Sequence, residues 1–159
     1  MHRNLFNWAL SLLKGKDRFG NLRKFSVFKD LNSFELYLLH QIMNERAYVE
    51  GEILFENKFP LELIYFIDKG EVEVIGALQP NGSRLLKKNQ FVGLIDMFQE
   101  NVRSSSARVT QDSVFLAVSQ TDLRKFIHDN PRIGIKILIR TCELISKFSF
   151  DLAAEIKGD

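Results

Sequence analysis

The sequence predicts an α+β fold, mainly β, in which a series of short strands is flanked by helices on both sides. Three observations carry this. Residues 46 to 118 break into short apolar runs separated by turn residues, and residues 3 to 44 place apolar residues at helical spacing. Residues 133 to 156 return to that spacing and sustain it. Strands at this spacing build a sandwich or a barrel, and the spacing alone does not say which. With 159 residues, 45% of them apolar and 26% charged, the chain suits one domain with a sizeable core and is too apolar for disorder.

The first element expected is an amphipathic helix carrying Leu5, Phe6, Trp8, Ala9, Leu10, Leu12 and Leu13. Asn7 and Ser11 interrupt it, and Lys14-Gly15-Lys16 stands where a cleavable leader would need small residues, so it reads as uncleaved and the compartment as the cytoplasm. With the basic link that follows, it makes up residues 1–27; residues 28–159 form the domain proper. A second helix follows Asn32, since Asn32 and Glu35 have capping-box spacing and Leu36, Leu39, His40 and Met43 share a face. Strands are expected at Tyr48-Val49, Ile53 to Phe55, Leu63 to Ile67, Val72 to Val74, Leu85-Leu86, Ser104 to Val109 and Val114 to Val118. Asp68-Lys69-Gly70 and Pro80-Asn81-Gly82 read as tight turns between them. Ser119 and Asp122 cap a short helix, and Asn130-Pro131 opens a long one. Its residues Ile137, Leu138, Leu144, Ile145, Phe148 and Leu152 cover more than one face, which predicts a homodimer through this C-terminal helix.

Composition excludes several functions. Lys+Arg number 22 against 20 Asp+Glu, so the chain is no polyanion-binding tail. Only Lys157, Gly158 and Asp159 follow the long helix, which leaves no room for a reading helix and predicts no DNA binding by this chain alone. Cys142 is the single cysteine and reads as a small packed residue, so neither a disulfide framework nor a cysteine-based zinc cluster can form. No histidine lies between His40 and His128, hence none on a strand, and a barrel metalloenzyme is excluded with it. No catalytic residue and no metal ligand is expected. Lys14, Lys16, Arg18, Arg23 and Lys24 read as a solvated link rather than a membrane-surface device, although the helix before them could also meet a protein partner.

Five stretches in order then resemble one family. They are Phe28-Lys29-Asp30-Leu31 ahead of a helix, Gly51-Glu52-Ile53-Leu54-Phe55, Tyr65 to Val74 with Gly70 inside it, Phe91-Val92-Gly93-Leu94-Ile95 ten positions before Arg103, and Asp129-Asn130-Pro131. Residues 28 to 140 thereby resemble the cyclic-nucleotide-binding domain of the catabolite activator and protein kinase A regulatory type. The resemblance implies a jelly-roll-like β-barrel (a double-stranded β-helix) with flanking helices and a ligand held between barrel and C-terminal helix. It implies cyclic AMP, cyclic GMP or another small anion as ligand, and a phosphate-binding cassette of Val92, Gly93, Leu94, Ile95, Arg103, Ser104 and Ser105. The chemistry suits the residues. A cyclic phosphate needs a buried guanidinium and N–H groups in place of water, and Gly93 allows the turn into a short helix that offers them. In an extended segment Arg103, Ser105 and Ala107 share one face, and Arg108 lies on the other as a surface charge.

Leu94 departs from the family, which has a Glu there that accepts the ribose 2′-hydroxyl. An unpaired buried hydroxyl costs about 1–3 kcal/mol, or roughly 5- to 150-fold in affinity. Leu94→Glu is accordingly expected to restore that acceptor. The sequence thus supports a non-catalytic regulatory module that binds such a ligand, with a scaffold or interaction domain holding a vestigial pocket as the alternative.

Overall fold

The run Ile64-Tyr65-Phe66-Ile67 is buried on both sides, and its alternation organises the molecule. In a strand successive side chains point to opposite faces. Ile64 and Phe66 join one apolar layer with the flanking helices, while Tyr65 and Ile67 join a second layer inside the barrel. The computed structural model describes residues 19–76, 82–98 and 102–157. The expected opening helix and the Pro80-Asn81 turn lie outside these residues, as does most of the basic link.

The strands are β1 (Asn44–Tyr48), β2 (Ile53–Phe55), β3 (Leu63–Ile75), β4 (Ser83–Lys87), β5 (Phe91–Val92) and β6 (Ser106–Ser119). All pairings are antiparallel: β3 pairs with β6 along its length, β1 and β2 flank β6, and β4 and β5 flank β3. This is the jelly-roll-like, mainly β arrangement that the sequence predicts. Phe55, Val72, Val74, Leu86, Val92, Val109 and Phe115 fill its interior.

Two expected boundaries inside the sheet are absent. Asp68-Lys69-Gly70 is not a turn but an irregularity within β3, where the register against β6 shifts between Ile67 and Val72. Gly70 has φ +94°, and a Cβ there would fall 2.0 Å from Ser113 Oγ. The Ser113 hydroxyl accepts from Glu71 N at 3.1 Å and donates to Gln111 O at 2.6 Å, replacing ladder bonds that the bulge removes. The expected strands at Ser104 to Val109 and Val114 to Val118 are likewise one strand, β6.

Helix α1 (Ser33–His40) starts in a complete capping box: Asn32 Oδ1 accepts from Glu35 N at 3.0 Å, and Glu35 Oε2 accepts from Asn32 N at 2.8 Å. Ahead of it, two 3₁₀ turns, Gly20–Lys24 and Ser26–Phe28, bury Leu22, Phe25 and Phe28. The rings of Phe25 and Phe28 lie 5.2 and 4.8 Å from Phe66. Helix α2 (Gln120–Asp129) is capped by Ser119, whose hydroxyl accepts from Asp122 N at 3.0 Å. Helix α3 (Pro131–Lys157) follows Asn130, as the Asn-Pro pair predicts.

Ile133 and Ile137 of α3 pack into the helical layer. Lys136 pairs with Glu35 at 2.7 Å, and Arg140 pairs with Asp30 through two hydrogen bonds. The apolar stripe is therefore divided differently from the sequence expectation. Ile137 is fully buried, Leu138, Leu144, Ile145 and Phe148 are half-buried, and the outward residues are Ile135, Ile139, Cys142 and Phe150. Cys142 is thus exposed rather than packed, because it shares the solvent face with Ile135 and Ile139. No described helix is long and apolar enough to cross a membrane.

Candidate functional site

The cassette is built by one turn and by the anchored segment that leads into β6. β5 ends at Val92, which points into the barrel, and Gly93 at φ +90° turns the chain. Leu94 then enters the helical layer at 1% exposure, while Ile95 faces outward. A short 3₁₀ turn, Asp96–Phe98, follows. On the far side, Arg103 N donates to Phe59 O at 2.8 Å and Lys58 N donates to Arg103 O at 2.9 Å, so the backbone at residue 103 is fixed from both directions. From there the expected alternation holds: Arg103, Ser105, Ala107 and Val109 are buried, and Arg108 is exposed and pairs with Glu73 at 3.1 Å.

Arg103 is 3% exposed. Its Nη2 donates to Leu63 O at 2.5 Å, and its Cζ lies 3.7 Å from the centre of the Phe55 ring. Its Nε and Nη1 find no hydrogen-bond partner among the described residues. Asp96 is its nearest acidic neighbour, with Oδ2 3.9 Å from Nη1. Burial pulls the guanidinium below its ordinary value, and the Asp96 carboxylate pushes it back up. Beside it, burial holds the Tyr65 phenol well above its ordinary range, reinforced by the Tyr48 hydroxyl at 3.3 Å. A Cβ on residue 93 would stand 2.3 Å from Nη1, so the glycine makes room for the guanidinium as well as for the turn.

A cavity of about 440 Å³ opens between this loop, β4 and the second half of α3, within the range usual for small-molecule sites. Val92, Gly93, Leu94, Ile95, Ser104 and Ser105 all border it. Arg103 does not; its guanidinium lies behind the wall that Gly93 and Asp96 help to form. The predicted cassette is therefore brought together, but its cation is one layer deeper than its position in sequence suggests. Leu94 matters too: its side chain is part of apolar packing, so the rescue expected of Leu94→Glu would require burying a carboxylate in that layer.

The resemblance puts the C-terminal helix against the ligand, but the side chains that close the cavity from outside, Arg84 and, on α3, Leu144, Lys147, Phe148 and Asp151, are not singled out by it as site residues; Leu144 and Phe148 read only as part of the apolar stripe. Arg84 Cζ lies 5.9 Å from the centre of the Phe148 ring. Nothing in the local pattern marks these, since α3 reaches the site only through the tertiary fold. Asp96 was visible as the one carboxylate in Leu94-Ile95-Asp96-Met97-Phe98, yet its burial and its bond from Ser104 Oγ, at 2.6 Å to Oδ1, were not. Among the described residues no cluster of histidines, cysteines and carboxylates could hold a metal ion.

Comparison with known proteins shows the family and the fold. The family model for the cyclic nucleotide-binding domain matches residues 45–130. A protein named as a potassium channel protein from Rhodopseudomonas palustris is 26% identical over 140 residues, covering 86% of this chain and 31% of that protein. The chain thus spans about a third of the length of this curated relative. A cyclic nucleotide-binding domain from Methylobacillus flagellatus superposes with a TM-score of 0.74 at 22% identity, covering 89% of this chain and 82% of that one. The catabolite activator protein of Thermus thermophilus gives 0.66 at 21% identity, covering 81% and 62%.

Proposed function

The chain belongs to the cyclic nucleotide-binding domain family, and from that premise we propose that it is a non-catalytic regulatory module that takes cyclic AMP, cyclic GMP or another small anion in the cavity under α3. The observation that carries this reading is Arg103, a buried guanidinium with two donors unpartnered among the described residues, placed behind the cavity's turn. Each buried donor left without an acceptor costs about 1–3 kcal/mol. An anionic oxygen reaching those donors would recover that cost and add the strength of a charge-assisted bond. The chain aligns with 31% of a longer relative named as a potassium channel protein, and the proposal extends on that likeness to a responsive part of a larger protein, placed in the cytoplasm. Calorimetric titration with cyclic AMP and cyclic GMP tests the reading, with Arg103→Ala as control. Saturable binding that the control abolishes is the expected result.

A second reading is favoured by Leu94, whose place in the apolar core leaves no carboxylate there for a ribose hydroxyl. It makes the chain a scaffold with a vestigial pocket, and it takes the lead if titration shows no binding. The proposal also includes a homodimer through α3. Ile135 and Ile139, at 57% and 54% exposure, lie one turn apart on its outer face. Light scattering should give a dimer mass that Ile139→Glu reduces to a monomer; a monomer for the native chain would remove this part of the proposal.

A further inference from the structure

Asp96 holds the groups that an anion in this cavity would need. It borders the cavity at 5% exposure, its Oδ1 accepts from Ser104 Oγ at 2.6 Å, and its Oδ2 stands 3.9 Å from Arg103 Nη1. Arg103 itself does not border the cavity. We propose that Asp96 is a tethered anion standing over the anion subsite, so that an anionic ligand reaches Arg103 tightly only when this carboxylate is released from Ser104 or loses its charge. The inference rests on the reading of the cavity as an anion site and says how that site is regulated.

The distances separate this arrangement from an ordinary structural ion pair. A structural pair of a buried arginine and a buried carboxylate closes to hydrogen-bond distance, commonly with two parallel bonds. Here the carboxylate is too far from Nη1 to accept a hydrogen bond, and Nε and Nη1 stay unpartnered among the described residues. Asp96 supplies compensating charge without using the guanidinium's donors. An incoming anion would complete those bonds, but with Asp96 in place it would also sit beside a like charge in a water-poor site, where such a juxtaposition is strongly unfavourable. The unused donors favour entry and the tethered carboxylate opposes it.

Asp96→Asn removes the charge and keeps the shape. Calorimetry with cyclic AMP, cyclic GMP and inorganic phosphate should show the variant binding at least about tenfold more tightly than the native protein. The gain should vanish in Asp96→Asn/Arg103→Ala. Thermal melting gives a second readout: at equal phosphate concentration the transition of Asp96→Asn should rise further than that of the native chain. Asp96→Ala replaces the asparagine variant if the amide disturbs folding. Native binding that Asp96→Asn leaves equal or weakens would overturn the inference, making Asp96 an acceptor for a ligand hydroxyl, while the anion-site reading would stand. No binding and no phosphate-dependent melting in any variant would overturn both.

Discussion

Gly93→Ala should be far more damaging than one methyl group suggests, and its cost should depend on Arg103. Two separable effects add. The backbone at φ +90° favours glycine, and holding alanine there costs about 1–2 kcal/mol. The new Cβ would fall 2.3 Å from Arg103 Nη1, so the guanidinium must leave its place. It has little freedom to do so, because Nη2 is bound to Leu63 O and the Phe55 ring lies against its face. Losing that hydrogen bond from a charged donor costs about 1.5–3 kcal/mol more. The total, about 2.5–5 kcal/mol, is a large share of the 5–15 kcal/mol usual for a domain. In an Arg103→Ala background only the backbone part should remain, about 1–2 kcal/mol. Urea denaturation of the four proteins measures the difference. An equal cost in both backgrounds would refute the argument that Gly93 is required by the guanidinium.

Two further outcomes follow from the packing. Leu94→Glu should lower stability by about 3–5 kcal/mol, because it removes an apolar side chain from the helical layer and asks that layer to take a carboxyl group. Unchanged stability with tighter cyclic AMP binding would show instead that side chain 94 turns to the cavity. The Arg140 guanidinium holds the Asp30 carboxyl below its ordinary value. A carboxylate depressed in the folded state stabilises above its unfolded pKa and loses that contribution as pH falls through the folded one. The stability gap between the native chain and Asp30→Asn should therefore be constant at neutral pH and close as pH drops below about 4, in a denaturation series over pH. A gap that persists in acid would mean the contact acts through packing, not charge.

What the sequence discloses here depends on how local the signal is. The Asn32–Glu35 box and the Ser119 cap are local bonds between near neighbours, and both form as expected. The alternation through Arg103, Ser105 and Ala107 is also local and correct. Asp68-Lys69-Gly70 misleads because the composition that makes a turn also makes a bulge, and only Ser113, far along the chain, decides between them. The apolar residues of α3 were identifiable, but which of them face inward depends on where Glu35 and Asp30 hold the helix. The cassette was legible as a set of residues. The depth of Arg103 and the position of Asp96 against it were not, since the first follows from backbone anchoring at Phe59 and the second from the turn at Gly93 and the bond from Ser104.

The pairing of β3 with β6 has a kinetic consequence. These strands are joined through β4, β5 and the whole cassette, so their ladder closes a long loop with the candidate site inside it. Non-local ladders of this kind form slowly, because chain entropy is lost before the contacts are gained. If the cassette consolidates only after that ladder has closed, Gly93, Asp96 and Arg103 contribute little to the folding barrier. Substitutions there would then speed unfolding and leave the folding rate nearly unchanged, and a bound ligand would act as a brake on opening. The site would set how long the native state lasts, and the strand pair how fast it is reached.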